Sequence, residues 1–367
     1  MRIPFRITLT FLLVTIVLSG QSQDNLAPEI EKHLKENPAL PSMSVVVVVD
    51  GKVAGAGAAG VRKKGDDTPV TIQDKYHIGS CSKAFTATLA AKLVEEEEME
   101  WDTTVGEVLR SLKPSEGFEK ATLKQLVSNT GGFPKEVPPK IWSDDAWGAK
   151  GDLEEQREQF AEAMLALEPK YVPGTQNEYS NTGFAIAGVM MEREMRMSWE
   201  DLIEREIFVP LGMKSGGFYG PAKDGRNPDQ PWGHDGNGKP IPPGRGADNP
   251  PAIAPAGAIH CSMPDLMKWC MMHMNSATGP VLGKAESFEM LHTPVIGDYA
   301  LGWMVTERGW ANGKALTHVG SNTMYTTVIW IAPERKFAIV VSTNIGQSVG
   351  FAPSDAFVGK MIGKYLR

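Results

Sequence analysis

Cysteine is scarce in this sequence, with only Cys81, Cys261 and Cys270 among 367 residues. Three cannot build an even-numbered disulfide framework, and an odd count leaves at least one free thiol. Metal-ligand patterns are missing as well. The seven histidines are scattered, with no His-Glu-x-x-His and no paired Cys-x-x-Cys, so neither a metal nor a cofactor is expected. Positive charge is in short supply: 37 Lys and Arg against 44 Asp and Glu give a net charge of −7 without a basic cluster. That balance argues against a nucleic-acid partner. There is no internal repeat and no Gly-x-Ser-x-Gly elbow of the α/β-hydrolase kind. No apolar run reaches the roughly 20 residues needed to cross a bilayer comfortably.

What is present begins with a leader pattern. Arg2 and Arg6 precede the apolar run Ile7–Leu18, which gives way to Ser19-Gly20-Gln21-Ser22. A basic start, a short apolar stretch and small residues make residues 1–22 a signal peptide by expectation, and export follows, to a periplasm or the outside. An uncleaved membrane anchor is the alternative. No cysteine follows the run, so lipoprotein attachment is not expected. Cleavage near Gly20 removes two arginines and takes the net charge to −9. Residues 25–367 remain as the folded domain, with no stable membrane span.

Ser44–Val49 is a β-branched run, Asp50-Gly51 follows, and Lys52–Gly60 continues in small residues. An Asp-Gly pair between two such runs signals a hairpin. From Ser82 the pattern turns helical, with Phe85, Leu89 and Leu93 on one stripe, and the acidic run Glu95–Glu98 reads as its solvated end. Further helices are expected over Leu153–Leu167, Gly183–Met195 and Trp199–Phe208. Phe133–Lys150 is rich in proline and tryptophan, and Lys214–Gly257, dense in Gly and Pro, is expected to be mostly loop framing a site. Strands return at Tyr299–Thr306, Thr326–Ile331 and Phe337–Ser342, followed by a helix carrying Phe357, Met361 and Tyr365. The expected fold class is α/β (α+β): an antiparallel β-sheet flanked by helices and built from both chain ends. The sheet part covers about 40–82 and 255–367, with a mostly helical region, about 83–254, inserted.

Chemistry centres on Ser80-Cys81-Ser82-Lys83, the sequence's sole Ser-x-x-Lys, at the entry to the first long helix. Positions i and i+3 share a helix face, so Ser80 and Lys83 meet. A serine hydroxyl is a weak nucleophile until a neighbouring base accepts its proton. The helix start adds N–H groups and positive potential where an oxyanion forms. Alone, the pattern is weak. Tyr179-Ser180-Asn181, the one Tyr-x-Asn, and His318-Val319-Gly320, between expected strands, strengthen it.

With these three motifs in this order the sequence resembles the serine β-lactamase/DD-peptidase superfamily, in its class C β-lactamase-like and related esterase branch. Leu126–Pro134, Pro173-Gly174, Phe208–Met213, Pro255–Gly257 before Asp265-Leu266, and Leu301-Gly302-Trp303 are similar to further signposts of that family. The resemblance runs from about residue 40 to the end. It implies a β-lactamase/transpeptidase-like fold and a serine hydrolase without cofactor. Ser80 would form an acyl-enzyme, and Tyr179, its proton affinity lowered by Lys83, would act as base or relay. Asn181, His318 and Gly320 would bind substrate, and the N–H groups of Ser80 and Ser321 would hold the oxyanion. The partner implied is a small-molecule ester, amide or peptide, cell-wall-derived ones included. Two protonation states remain open for Lys83.

The third motif departs from the β-lactamase pattern, with His318 where a lysine stands and Val319 where a hydroxyl residue stands. Histidine is only partly charged near neutrality and valine donates nothing, which favours ester or peptide chemistry over β-lactams. The rival reading is a penicillin-binding sensor that acylates without turnover. Cys81, about 100° around the helix from Ser80, is expected to pack, as are Met271, Met272 and Met274 beside Trp269. His77 and His260 receive no site role.

Overall fold

Residues 23–366, apart from 224, 226 and 277, are described by the computed structural model. The leader segment read as an export signal lies outside the described residues. Near the start of the domain, β1 (Asp24–Asn25) and helix α1 (Ala27–Glu36) precede the hairpin of β2 (Ser42–Val49) and β3 (Lys52–Gly60). The hairpin turns at Asp50 and Gly51, both at positive φ, 50° and 73°, the two-residue geometry that matches strand twist. The remaining strands are β4 (Lys75–His77), β5 (Gly217–Phe218), β6 (Ile259–Ser262), β7 (Met304–Arg308), β8 (Gly313–Gly320), β9 (Thr326–Ala332) and β10 (Phe337–Thr343).

Seven of these form one sheet in the order β1-β3-β2-β10-β9-β8-β7. Every pairing in it is antiparallel except β1 with β3. The sheet is therefore assembled from both chain ends, joined where β10 pairs with β2. The interior strand β2 explains its own composition: Val46 and Val48 enter one apolar cluster while Val45 and Val47 enter a second on the opposite face. A strand covered on both sides has no use for polar alternation.

The small residues of β3 have an equally direct cause. A methyl on Gly57 would lie 2.6 Å from the Ala27 nitrogen, so the start of α1 rests on the strand. The second cluster is closed by α1 and the C-terminal helix, Gln347–Tyr365, through Ile30, Phe357 and Met361. The first and larger cluster lies between the sheet and the helices α2 (Ser82–Glu95), α3 (Leu153–Leu165), α4 (Asn181–Met195) and α5 (Met263–Asn275). The last helix is α6 (Gln347–Tyr365). Among the described residues, no helix is long and apolar enough to cross a membrane.

Four features depart from the sequence expectation, the first being that His318-Val319-Gly320 lies within β8 and not between strands. The strand expected from Tyr299 starts at Met304, because Leu301-Gly302-Trp303 turns inward at Gly302, φ 76°. A methyl there would lie 2.6 Å from the Ala84 Cα, so the turn is pressed against α2. A second, three-stranded sheet of order β4-β6-β5 uses strands too short to leave a sequence period. Within Phe133–Lys150, Trp142–Trp147 forms a wide helical turn instead of plain loop.

Candidate active site

The turn that carries Ser80 is set by its neighbours. Strand β4 ends at His77, a single 3₁₀ turn spans Gly79–Cys81, and α2 continues from Ser82. Ser82 Oγ donates to the Gly79 carbonyl at 2.7 Å and accepts from the Ile259 N–H at 3.1 Å. These bonds tie the helix start to β6. The Cys81 thiol points at the His318 and Thr327 carbonyls, 3.9 and 4.0 Å away, and burial pushes its pKa well up. All three cysteines are buried and free.

Lys83 is fully buried, 0% exposed, with its Nζ 3.2 Å from Ser80 Oγ, 2.7 Å from Asn181 Oδ1 and 2.9 Å from the Ala256 carbonyl. No carboxylate is among these partners, and burial pulls the amine down to about 7 from its usual 10.5. A neutral amine has two N–H groups. In that form Asn181 and Ala256 can take both, leaving the nitrogen lone pair for the Ser80 hydroxyl, whereas an ammonium would donate to all three.

Tyr179 closes the cluster, its hydroxyl close enough to Ser80 to feel it and its ring 4.7 Å from Lys83 Nζ. Here the expectation of a lowered proton affinity is corrected: burial outweighs the influence of Ser80 and holds the phenol above its usual value. The Tyr-Ser-Asn loop is braced by Asn129 of the Leu126–Pro134 stretch. Asn129 Oδ1 accepts from the Ser180 N–H at 3.1 Å and its carbonyl from the Glu178 N–H at 2.9 Å. Ser180 in turn caps α4 through the Thr182 N–H. Asn181 differs from its expected role in one respect, since its oxygen is engaged by Lys83 and only its amide nitrogen is left to meet a substrate carbonyl.

The β8 end brings in the third motif. His318 is 4% exposed, and its Nε2 lies 3.3 Å from the Tyr299 hydroxyl. Burial, with Lys83 nearby, pushes its pKa down to about 3, so the ring is neutral rather than partly charged. Val319 packs against the second apolar cluster, on the sheet face away from Ser80, and its missing hydroxyl is not felt at the site. Tyr299 stands edge-on to Tyr179 at 6.3 Å. Sequence reasoning missed it, although it sits two residues before the quoted Leu-Gly-Trp signpost.

Gly320 and Gly79 bring two backbones together. A methyl on Gly320 would lie 1.9 Å from the Ile78 oxygen and 2.9 Å from the Ser80 nitrogen, and one on Gly79 would lie 2.2 Å from the Ser321 nitrogen. Ser80 and Ser321 therefore present their N–H groups from adjoining segments. Gly320→Ala is expected to destabilise the fold by about 1–3 kcal/mol or more, because the contact is backbone and cannot yield. Thermal unfolding checks it; an unchanged Tm would mean that the strand end can retreat.

A two-ended sheet with a Ser–Lys–Tyr cluster where it meets a helical region is the arrangement of β-lactamase/transpeptidase-like folds. The chain belongs to the Beta-lactamase family, whose model matches residues 28–360. It is 26% identical over 334 residues to Penicillin-binding protein 4 of Amycolatopsis lactamdurans, covering 87% of this chain and 84% of that one. Protein flp of Staphylococcus aureus (strain MW2) is 25% identical over 341 residues, covering 89% of this chain, which spans 64% of that relative's length. Among solved structures, the octameric penicillin-binding protein homologue from Pyrococcus abyssi superposes with a TM-score of 0.71 at 27% identity, covering 92% of this chain and 78% of that one. Membership supports serine hydrolase chemistry in general.

Proposed function

We propose that this protein is an exported serine hydrolase that forms an acyl-enzyme on Ser80 and acts on esters or amides that carry no carboxylate beside the scissile bond. The observation that carries the reading is the buried Lys83 amine, 3.2 Å from Ser80 Oγ and held there by Asn181 Oδ1 and the Ala256 carbonyl. Ser80 Oγ attacks the carbonyl carbon as its proton passes to Lys83 Nζ. The carbonyl oxygen becomes an oxyanion between the Ser80 and Ser321 N–H groups. Collapse breaks the bond to the leaving group, which departs with a proton delivered through Tyr179. Water, deprotonated by the same amine, then releases the acid and restores Ser80. Steady-state hydrolysis of a short p-nitrophenyl ester, followed alongside intact mass, tests the reading. Continuous turnover supports it, and a single stoichiometric burst would favour the non-turnover penicillin-binding sensor.

Substrate charge follows from His318. A β-lactam carboxylate calls for a cation beside the nucleophile, and a neutral imidazole supplies none. Losing a charge-assisted hydrogen bond costs roughly 1.5–3 kcal/mol, about 10- to 150-fold, whereas a neutral ester feels no loss. Short p-nitrophenyl esters are therefore expected to exceed nitrocefin and benzylpenicillin in kcat/KM. With its pKa near 3, His318 gains no useful charge on acidification, so β-lactam turnover should not rise between about pH 8 and 5. Because Val319 faces away, His318→Lys alone is expected to raise β-lactam turnover relative to ester turnover. A wild-type preference for β-lactams would sink this assignment.

A further inference from the structure

One buried polar group near the nucleophile is unused by this chemistry. His77 is completely buried at the end of β4, and its Nδ1 accepts the Gly79 N–H at 3.0 Å. An accepting Nδ1 carries no proton, so the ring proton sits on Nε2. That nitrogen lies 3.0 Å from Asp248 Oδ1, a charge contact bent away from hydrogen-bond alignment, with no other partner among the described residues. The carboxylate favours this tautomer, as a histidine's ring partner does elsewhere.

Asp248 also reaches the other half of the site. Its Oδ1 accepts the Asn249 N–H at 2.7 Å and Asn322 Nδ2 at 3.3 Å, and Asn322 Oδ1 accepts the Met324 and Tyr325 N–H groups, each at 3.2 Å. Asn322 follows Ser321 directly, and Gly79 precedes Ser80. A single carboxylate on the long Gly/Pro-rich segment thus braces the residues flanking both N–H groups assigned to the oxyanion. Gly79 itself is held at φ 50°, pressed against Ser321, where a free glycine would have other conformations open to it.

We infer that His77 and Asp248 are positioning residues that set the spacing between the Ser80 and Ser321 N–H groups, and so the stabilisation of the tetrahedral intermediate. The inference rests on the acyl-enzyme reading above. A brace acting through geometry is worth less than an oxyanion donor itself, whose removal costs about 10²–10³ in kcat. His77→Ala is expected to lower kcat on a p-nitrophenyl ester about 10- to 100-fold. KM should stay within about threefold. Affinity for an alkyl boronic acid, whose tetrahedral adduct places an oxygen in the same hole, should fall by the same factor as kcat. His77→Asn should recover most of the loss, because an Asn oxygen can accept an N–H two residues on.

The experiment measures kcat, KM, boronic-acid affinity, Tm and fluorophosphonate labelling for wild type, both His77 variants and Asp248→Asn. The near-isosteric Asp248→Asn keeps the acceptor but loses the charge, and should move kcat and boronic-acid affinity down together by about 3- to 10-fold even where His77→Ala fails to fold. Unchanged kcat and boronic-acid affinity in Asp248→Asn would overturn the inference. A His77→Ala loss that His77→Asn does not recover would overturn it too, as support of the fold alone. A wild-type protein that fluorophosphonate does not label would overturn the hydrolase reading, and this inference with it.

Discussion

Ser80→Ala is expected to abolish covalent labelling by a fluorophosphonate and to lower kcat about a thousand- to a million-fold, the range seen when a triad-type nucleophile is removed. The size of the effect follows from how little else in the turn can substitute. Ser82, two residues on, is buried with its hydroxyl bonded to the Gly79 carbonyl and the Ile259 N–H. The Cys81 thiol is sealed beneath the β8 and β9 carbonyls, and burial raises its pKa far from the thiolate range. Of these three side chains only Ser80 is at once partly open and within reach of the Lys83 amine. Peptide mapping after labelling gives the decisive readout. Persistent labelling at Ser82 or Cys81 in the variant would falsify the assignment.

Loss of the nucleophile should leave the fold standing. Ser80 packs in neither apolar cluster, and the turn is held by Ser82, His77 and the two glycines. A Ser80→Ala protein with wild-type Tm and no turnover separates chemistry from structure. The same separation is not available at Gly320, where the backbone contact serves both.

The parts of the site that were legible in the sequence are those whose geometry is local. Ser80 and Lys83 meet because i and i+3 share a helix face, and Tyr179 with Asn181 stands at the next helix start. The sheet was legible in the valine run of β2 and in the Asp50-Gly51 turn. What the sequence withheld depends on burial or on distant partners. The charge of His318 is decided by the wall around it, including Tyr299, and no pattern in His-Val-Gly announces that. Strand alternation could have turned Val319 away from Ser80, but only once β8 was known to start at Gly313. The proton affinity of Tyr179 is set by burial, which a Tyr-x-Asn pattern does not show, more than by the lysine beside it. His77 and Asp248 lie far apart in sequence and meet only in the fold.

The pH dependence of catalysis should expose Lys83 directly. Burial holds its pKa near 7 rather than 10.5, and the neutral amine is the form that accepts the Ser80 proton. Activity therefore belongs to the deprotonated state, and kcat/KM for a neutral ester is expected to rise with pH and level off above about 7, falling close to tenfold per unit on the acid side. Lys83→Met should cost about 10²–10⁴ in kcat and erase that limb. Lys83→Arg, always charged, should be equally impaired despite keeping a cation in place.

Stability should respond in the corresponding direction. Between pH 7 and 10.5 the unfolded chain holds a proton on Lys83 that the folded chain does not. Unfolding then takes up a proton, so stability rises with pH across that window, by up to about 5 kcal/mol at 1.36 kcal/mol per pKa unit. Lys83→Met removes this contribution, and its stability should exceed that of wild type most clearly at and below neutrality. Parallel kcat/KM profiles and denaturant titrations across the pH range test both halves with one set of proteins. An acid limb that survives in Lys83→Met, or a Lys83→Arg enzyme near wild-type rate, would move the base elsewhere. Tyr179 would then be the remaining candidate.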